Sequence, residues 1–127
     1  MSYPTNLRYT EDHEWISLPE NGVCSVGVTA YAIEQLTDIV HVDFPEVGDK
    51  FESGEAFGTI ESTKTVSDLY LPLEGEVVEV NEDLLDQTDL FQSSPHADAW
   101  IVKVRIDESE LEKLMDAAQY EAFTKDS

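Results

Sequence analysis

From Glu14 to Ile106 the chain is written in short β-type runs, each soon cut off by Gly, Pro or Asn. That punctuation points to sheets packed on one another rather than to a helical protein. "EWISL" carries Trp15, Ile16 and Leu18 and runs into "PENG", a strong turn signal. "VCSVGV" sets Val26 and Val28 on one face at period two. Thr29 is placed to cap a short helix, "AYAIEQL", by accepting an orphan backbone N–H. In "IVHVDF", Val40, Val42 and Phe44 alternate with His41 and Asp43, and Pro45 ends the run. Glycines at 48, 54 and 58 suit tight turns and a bulge.

"TVSDLYL" is stopped by Pro72, and "GEVVEV" brings Val78 and Val80 into phase. Asn81 is expected to cap a helical turn at "EDLL". The last strand, "AWIVKVRI", turns Trp100, Val102, Val104 and Ile106 to one side. A helix over about 108–123 closes the chain, with Asp107 and Glu110 as a capping box. Leu111, Leu114, Met115 and Ala118 form its apolar stripe. The whole of 1–127 reads as one mainly β domain, its core at about 7–106, with short helices and the C-terminal helix outside.

Charge excludes some roles. With 28 acidic and 7 basic residues, a net −21, the chain would repel nucleic-acid phosphates and anionic lipid surfaces, so no nucleic acid and no membrane are expected as partners. Its 41% hydrophobic content is ordinary for a globular protein. A single cysteine, Cys24, allows no intrachain disulfide and suits a reducing compartment. The N-terminus has neither a secretory nor a transit-peptide pattern. These features lead us to expect a cytoplasmic, bacterial protein, with a mature organellar chain as the alternative.

One residue stands apart. Between Phe51 and Val102 there are twelve Asp and Glu residues and a single Lys or Arg, Lys64, in "ESTKTVSD". Its ordinary reading is a surface ion pair with Glu61 or Asp68, worth about 0–1 kcal/mol. The sharper reading starts from its place beside a tight turn between two β-type runs. No apolar pocket is evident that would depress its amine pKa, so Schiff-base chemistry is disfavoured. An exposed turn is accessible to an acylating enzyme, and Ser62, Thr63 and Thr65 are small enough to admit its active site. An acylated lysine would be an arm reaching roughly 14 Å from its Cα.

"FGTIESTKTVSDLYLPLEGEVVEVNEDL" resembles the lipoyl-attachment region of the glycine cleavage system H proteins. "YTEDHEW", "VGVTAYAIEQLTDIVHVDFPEVGD", "SSPHADAWIVKV" and "ELEKLMDAAQYEAF" extend the likeness over nearly the whole chain. The motif core is Glu61, Ser62, Thr63 and Lys64, followed by Ser67 and Asp68. The resemblance implies a lipoyl/biotinyl-type hammerhead β-sandwich, with lipoic acid in amide linkage to Lys64. It implies a non-catalytic carrier that takes an aminomethyl group from glycine decarboxylase (P-protein) to the tetrahydrofolate-dependent aminomethyltransferase (T-protein). Dihydrolipoamide dehydrogenase (L-protein) would reoxidise the arm, and a lipoate ligase or a lipoyl/octanoyl transferase would attach it. It also implies a cleft that shelters the cationic arm, with Glu14 and Asp68 at the matching positions. Against those stands the plainer reading of ordinary surface acids.

Asp12, His96 in place of the usual Tyr, Ala99, and the larger Leu71, Leu73 and Glu74 around Pro72 depart from the family pattern. They leave open an H-like lipoyl relay or regulatory protein acting outside glycine cleavage. A biotin carrier domain is less apt, since its lysine is flanked by methionines rather than Thr63 and Thr65. The 2-oxoacid dehydrogenase lipoyl domains carry Asp-Lys-Ala, absent here. An enzyme finds little support: His13, His41 and His96 are scattered, no metal-ligand spacing appears, and Cys24 has no evident activating base.

Overall fold

The computed structural model describes residues 3–125. Nine antiparallel strands make two sheets. They are β1 Leu7–Tyr9, β2 Glu14–Ser17, β3 Val23–Val28, β4 Ile39–Asp43, β5 Lys50–Phe51, β6 Ala56–Ser62, β7 Val66–Tyr70, β8 Gly75–Val80 and β9 Val102–Ile106. One sheet runs β1-β2-β3-β9-β8-β5 and the other β4-β6-β7. The main core lies between them. Ile16, Val26, Val77, Val102 and Val104 from the larger sheet meet Val42, Ile60 and Leu69 from the smaller. The expected sandwich of short strands is therefore the observed one. Leu71 and Leu73, beside Pro72, are buried in the same core, which explains their size.

Three short helices lie outside: α1 Ala30–Leu36, α2 Leu90–Ser93 and α3 Ala117–Lys125. Thr29 caps α1 as expected, its Oγ1 accepting the Ala32 N–H at 3.3 Å. Asn81 behaves differently. The turn Glu82–Leu85 forms, but the Asn81 side chain donates instead to the carbonyls of Asp98 and Trp100, at 3.1 and 2.8 Å. Tying the crossing segment before β9 satisfies a buried amide better than a solvent-facing cap would.

Two strands depart from simple alternation, and both contain a bulge. In β4 the register shifts between Ile39 and His41, so Ile39 and Val42 point inward and Val40 is 48% exposed. In β8 it shifts between Val77 and Glu79, so Val77 is fully buried while Val78 and Val80 are only half-buried. One extra residue flips the side-chain phase, which alternation alone cannot foresee.

The C-terminus is the largest correction. No single helix spans 108–123. Glu108–Lys113 forms a 3₁₀ turn, and Leu114 is extended. Met115 then pairs with β1, exchanging both backbone hydrogen bonds with Tyr9 at 2.8 and 3.0 Å. An edge strand with open N–H and C=O groups outbid continued helix. The capping box belongs to α3: the Gln119 N–H donates to Asp116 Oδ1 and the Asp116 N–H to Gln119 Oε1, at 2.8 and 2.9 Å. Asp107 accepts from the Ser109 N–H and hydroxyl instead. With the period reset, Ala117 and Tyr120 are buried and Ala118 is exposed. They join Tyr3, Leu7, Tyr9 and Trp15 in a second, aromatic core.

Gly58 sits at the bulge of β6, where a Cβ would lie 2.3 Å from the Asp43 carbonyl oxygen. Because that obstacle is backbone of the neighbouring strand, Gly58→Ala is expected to cost about 1–3 kcal/mol, the usual penalty of overpacking. A urea denaturation midpoint checks it; an unchanged midpoint would mean that β4 and β6 separate freely here.

Candidate functional site

Lys64 occupies the exposed tip of the β6–β7 hairpin. The buried Ser62 builds that tip. Its Oγ accepts the backbone N–H groups of both Lys64 and Thr65 at 3.2 Å, and its own N–H donates to the Thr65 carbonyl at 2.8 Å. The Thr63 N–H is held by the Asp38 carbonyl at 3.1 Å. The loop backbone is thus fixed while the Lys64 side chain projects outward. Among the described residues Lys64 forms no ion pair, so neither Glu61 nor Asp68 neutralises it.

The same hairpin forms one wall of a cleft of about 370 Å³. Ile60, Ser67, Asp68 and Leu69 line it from β6 and β7. Helix α1 supplies the facing wall through Tyr31, Ala32, Gln35 and Leu36, and the turn after β1 closes it with Asp12, His13 and Glu14. Ser67 and Asp68 lie about 10 and 13 Å along the chain from Lys64 at the usual rise per residue. An arm of the length a modified lysine would have can therefore fold back to them.

Glu14 is not an ordinary surface acid. It is 2% exposed, in phase with Ile16 on the inward face of β2. The turn that delivers it is tightly braced. The Thr10 N–H bonds the Glu14 carbonyl, Thr10 Oγ1 accepts the Glu14 N–H, and the Thr29 N–H holds the His13 carbonyl. His13 itself takes φ 64, a left-handed turn conformation. One carboxyl oxygen, Oε2, accepts the Tyr70 N–H at 2.6 Å. Burial pushes the Glu14 pKa well above the usual carboxylate range; the Tyr70 N–H opposes this and the nearby Asp12 charge adds to it.

Two histidines touch the aromatic core, His13 at the edge of the cleft and His96 against Tyr3 and Tyr9. His13 Nδ1 lies 2.7 Å from the Tyr120 hydroxyl, and its ring lies against Tyr31 with centroids 4.5 Å apart. His96 Nε2 accepts the Ala30 N–H at 3.1 Å, at the start of α1. Burial lowers both pKa values, for His13 against a smaller upward pull from Asp12.

A histidine with a depressed folded pKa contributes fully above its unfolded value near 6.5 and loses that contribution as pH falls through it. Glu14, with a raised folded pKa, does the reverse. It favours the native state at low pH, and that advantage is lost as pH rises from the unfolded value towards the folded one. We therefore expect Glu14→Gln to lose stability on acidification towards the unfolded carboxylate value of about 4.3 more steeply than the unaltered protein. Urea midpoints across that range check it, and parallel slopes would contradict the burial of an ionisable Glu14.

The structure brings Ser67, Asp68 and Glu14 around one cleft, with Lys64 on the tip of the hairpin that forms one of its walls. Asp68 is exposed on that rim. Glu61 is exposed on β6, opposite His41 and Val66, and is not a lining residue. Ser62 and Thr63 shape the tip rather than the cleft. Sequence reasoning missed Tyr31, Gln35 and His13. The signal for Glu14 was present in its two-residue spacing from Ile16, and the α1 residues needed only the helical period carried from Ile33 to Leu36. The departures Asp12, His96 and Ala99 all have places: Asp12 on the cleft rim, His96 bonded to the start of α1, and Ala99 fully buried.

Comparison with known proteins agrees with this geometry. The family model described as Glycine cleavage H-protein matches residues 7–127. The chain is 49% identical over 127 residues to the glycine cleavage system H protein of Brevibacillus brevis, covering 99% of this chain and 100% of that one. It is 50% identical over 123 residues to that of Bacteroides thetaiotaomicron, covering 96% and 97%. The crystal structure of a glycine cleavage system H protein from Mycobacterium marinum is similar at a TM-score of 0.88 and 37% identity, covering 97% and 99%. The lipoyl-type sandwich is thus the fold of this chain.

Proposed function

Since the chain belongs to the glycine cleavage H-protein family, we propose that it is the lipoyl-bearing carrier of glycine cleavage, with Lys64 as its attachment point. The observation that carries this reading is a lone, exposed lysine on a rigid hairpin tip whose own strands line a cleft within an arm's reach. Lipoic acid in amide linkage would supply a disulfide whose S–S bond opens as one sulfur takes up the aminomethyl group and the other becomes a thiol, and a dithiol once the group has been passed on.

The residues present fit such a group. Ser62 presents the Lys64 amine to a lipoate ligase or a lipoyl/octanoyl transferase by fixing the loop backbone. Apolar walls, Leu36, Ile60 and Leu69, suit a hydrocarbon chain. Glu14 and Asp68 suit a cationic end. The protein acts as a substrate in turn for the P-, T- and L-proteins and performs no catalysis itself. Its acidity favours partners that present basic docking faces. We assign it to the bacterial cytoplasm; among the described residues no helix is long and apolar enough to cross a membrane.

The test is intact-mass spectrometry of the protein from its native host, with peptide mapping across residues 51–102. A lipoyl increment confined to Lys64 supports the carrier. A biotinyl increment, or an unmodified Lys64 in cells that make lipoate, overturns it.

A further inference from the structure

Glu14 is buried with its hydrogen bonding half complete. Oε2 accepts the Tyr70 N–H at 2.6 Å, whereas Oε1, equally buried, has no hydrogen-bond partner among the described residues. The other buried polar side chains, Thr29, Ser62 and Asn81, are all bonded. A buried oxygen without a donor in a cleft wall is costly unless something supplies one.

Resting on the carrier reading above, we propose that Glu14 is a proton-linked clamp: in the unloaded protein its carboxyl holds a proton on Oε1, and it releases that proton when the arm brings a primary ammonium into the cleft. The groups facing Glu14 decide this. Asp12 and His13 face it from its own turn, Tyr31 from α1, and Asp68 and the Tyr70 backbone from β7. No Lys or Arg is among the lining residues, so the protein provides no resident counter-charge. His13 does not fill that role, because burial favours its neutral ring and its Nδ1 is engaged by Tyr120. A solitary carboxylate beside Asp12 is the unfavourable species, and Glu14 is accordingly held in its neutral form to higher pH than a solvated glutamate.

The exchange balances without any oxidant or reductant. A neutral carboxyl and an ammonium in solvent become a carboxylate and ammonium paired in the cleft, with one proton delivered to bulk water. No covalent bond is made or broken apart from the O–H of Glu14. Below the Glu14 midpoint, retention of the ammonium then strengthens by up to about tenfold per pH unit, and above it the dependence flattens. A neutral arm gains nothing from ionisation of Glu14. The clamp therefore discriminates the loaded arm from the unloaded one through pH as well as through fit.

The experiment follows the Glu14 carboxyl by ¹³C NMR in lipoylated protein with labelled glutamate, its signal identified by its loss in Glu14→Gln. The reduced arm is loaded with formaldehyde and ammonium, which join one thiol as an S–CH2–NH3⁺ group with loss of one water, and intact mass verifies the load. The unloaded protein should show a Glu14 midpoint above that of a solvated glutamate. Loading should lower its midpoint by about one to three pH units, and Lys64→Arg given the same reagents should keep the unloaded midpoint. A Glu14 midpoint no higher than that of a solvated glutamate in the unloaded protein overturns the clamp. So does an unchanged midpoint in fully loaded protein, or an equal shift in Lys64→Arg, and each of these leaves the carrier reading intact. Failure of Lys64 to take lipoate at all overturns the carrier reading, and the clamp falls with it.

Discussion

Lys64→Arg is expected to leave the protein folded and to take up no lipoyl group. The substitution retains the positive charge and most of the side-chain length at an exposed tip that forms no ion pair among the described residues. Surface changes of this kind stay within about 0.5 kcal/mol. The loop is held by Ser62 and by backbone bonds, none of which involves the Lys64 side chain. A guanidinium, however, stays protonated and cannot form the amide that the ammonium forms once deprotonated in a ligase active site. The expected result is a wild-type thermal midpoint together with zero lipoyl increment in the intact mass after incubation with lipoate, ATP and a lipoate ligase. Loss of the fold would show that the tip depends on the lysine itself. A surviving increment would place the arm elsewhere and remove the reason for the hairpin's proximity to the cleft.

What the sequence revealed, and what it hid, divides along physical lines. Lys64 was legible because isolation in an acidic stretch is a property of composition, and its setting between two strands is a property of local pattern. The Thr29 cap was legible for the same reason, since a cap acts over three residues. The outward turn of Val40 was not, because it depends on a bulge whose position is fixed by pairing with β6. Nor was the break at Met115, which answers to the open edge of β1, over a hundred residues earlier in the chain. The burial of Glu14 lay between these cases. Period two placed it with Ile16, but charge argued for solvent, and only the Tyr70 N–H from β7 shows how a carboxyl is accommodated there. Long-range partners decided each feature that local pattern left open.

Tyr120 carries more weight than its position on α3 suggests. Its ring stacks on Tyr9 at 4.8 Å and meets Tyr3 edge-on at 4.8 Å. Its hydroxyl lies 2.8 Å from Thr29 Oγ1 and 2.7 Å from His13 Nδ1. A chain of donors running Thr29 to Tyr120 to His13 satisfies all three, with Thr29 Oγ1 still accepting the Ala32 N–H. One side chain on α3 thereby ties down the cap of α1 and the turn bearing His13, which are two walls of the cleft.

Tyr120→Ala should cost about 3–5 kcal/mol, as for other large aromatic truncations, raising the unfolded population by about two to four orders of magnitude. Tyr120→Phe keeps the stack but removes the acceptor of the buried Thr29 hydroxyl and the donor to His13 Nδ1, so about 1–3 kcal/mol is expected. Hydrogen exchange separates the two effects. In Tyr120→Ala, amides of α3 and β1 should lose protection before those of β3 and β9, because α3 packs against β1. In Tyr120→Phe, the loss should centre on the first turn of α1 and on residues 10–14. Equal loss across the sandwich in Tyr120→Phe would mean that the hydroxyl stabilises the fold globally and has no special hold on the cleft. Loss confined to the cleft walls would make the C-terminal helix the element that sets the width of the cleft, and with it the shelter offered to the arm.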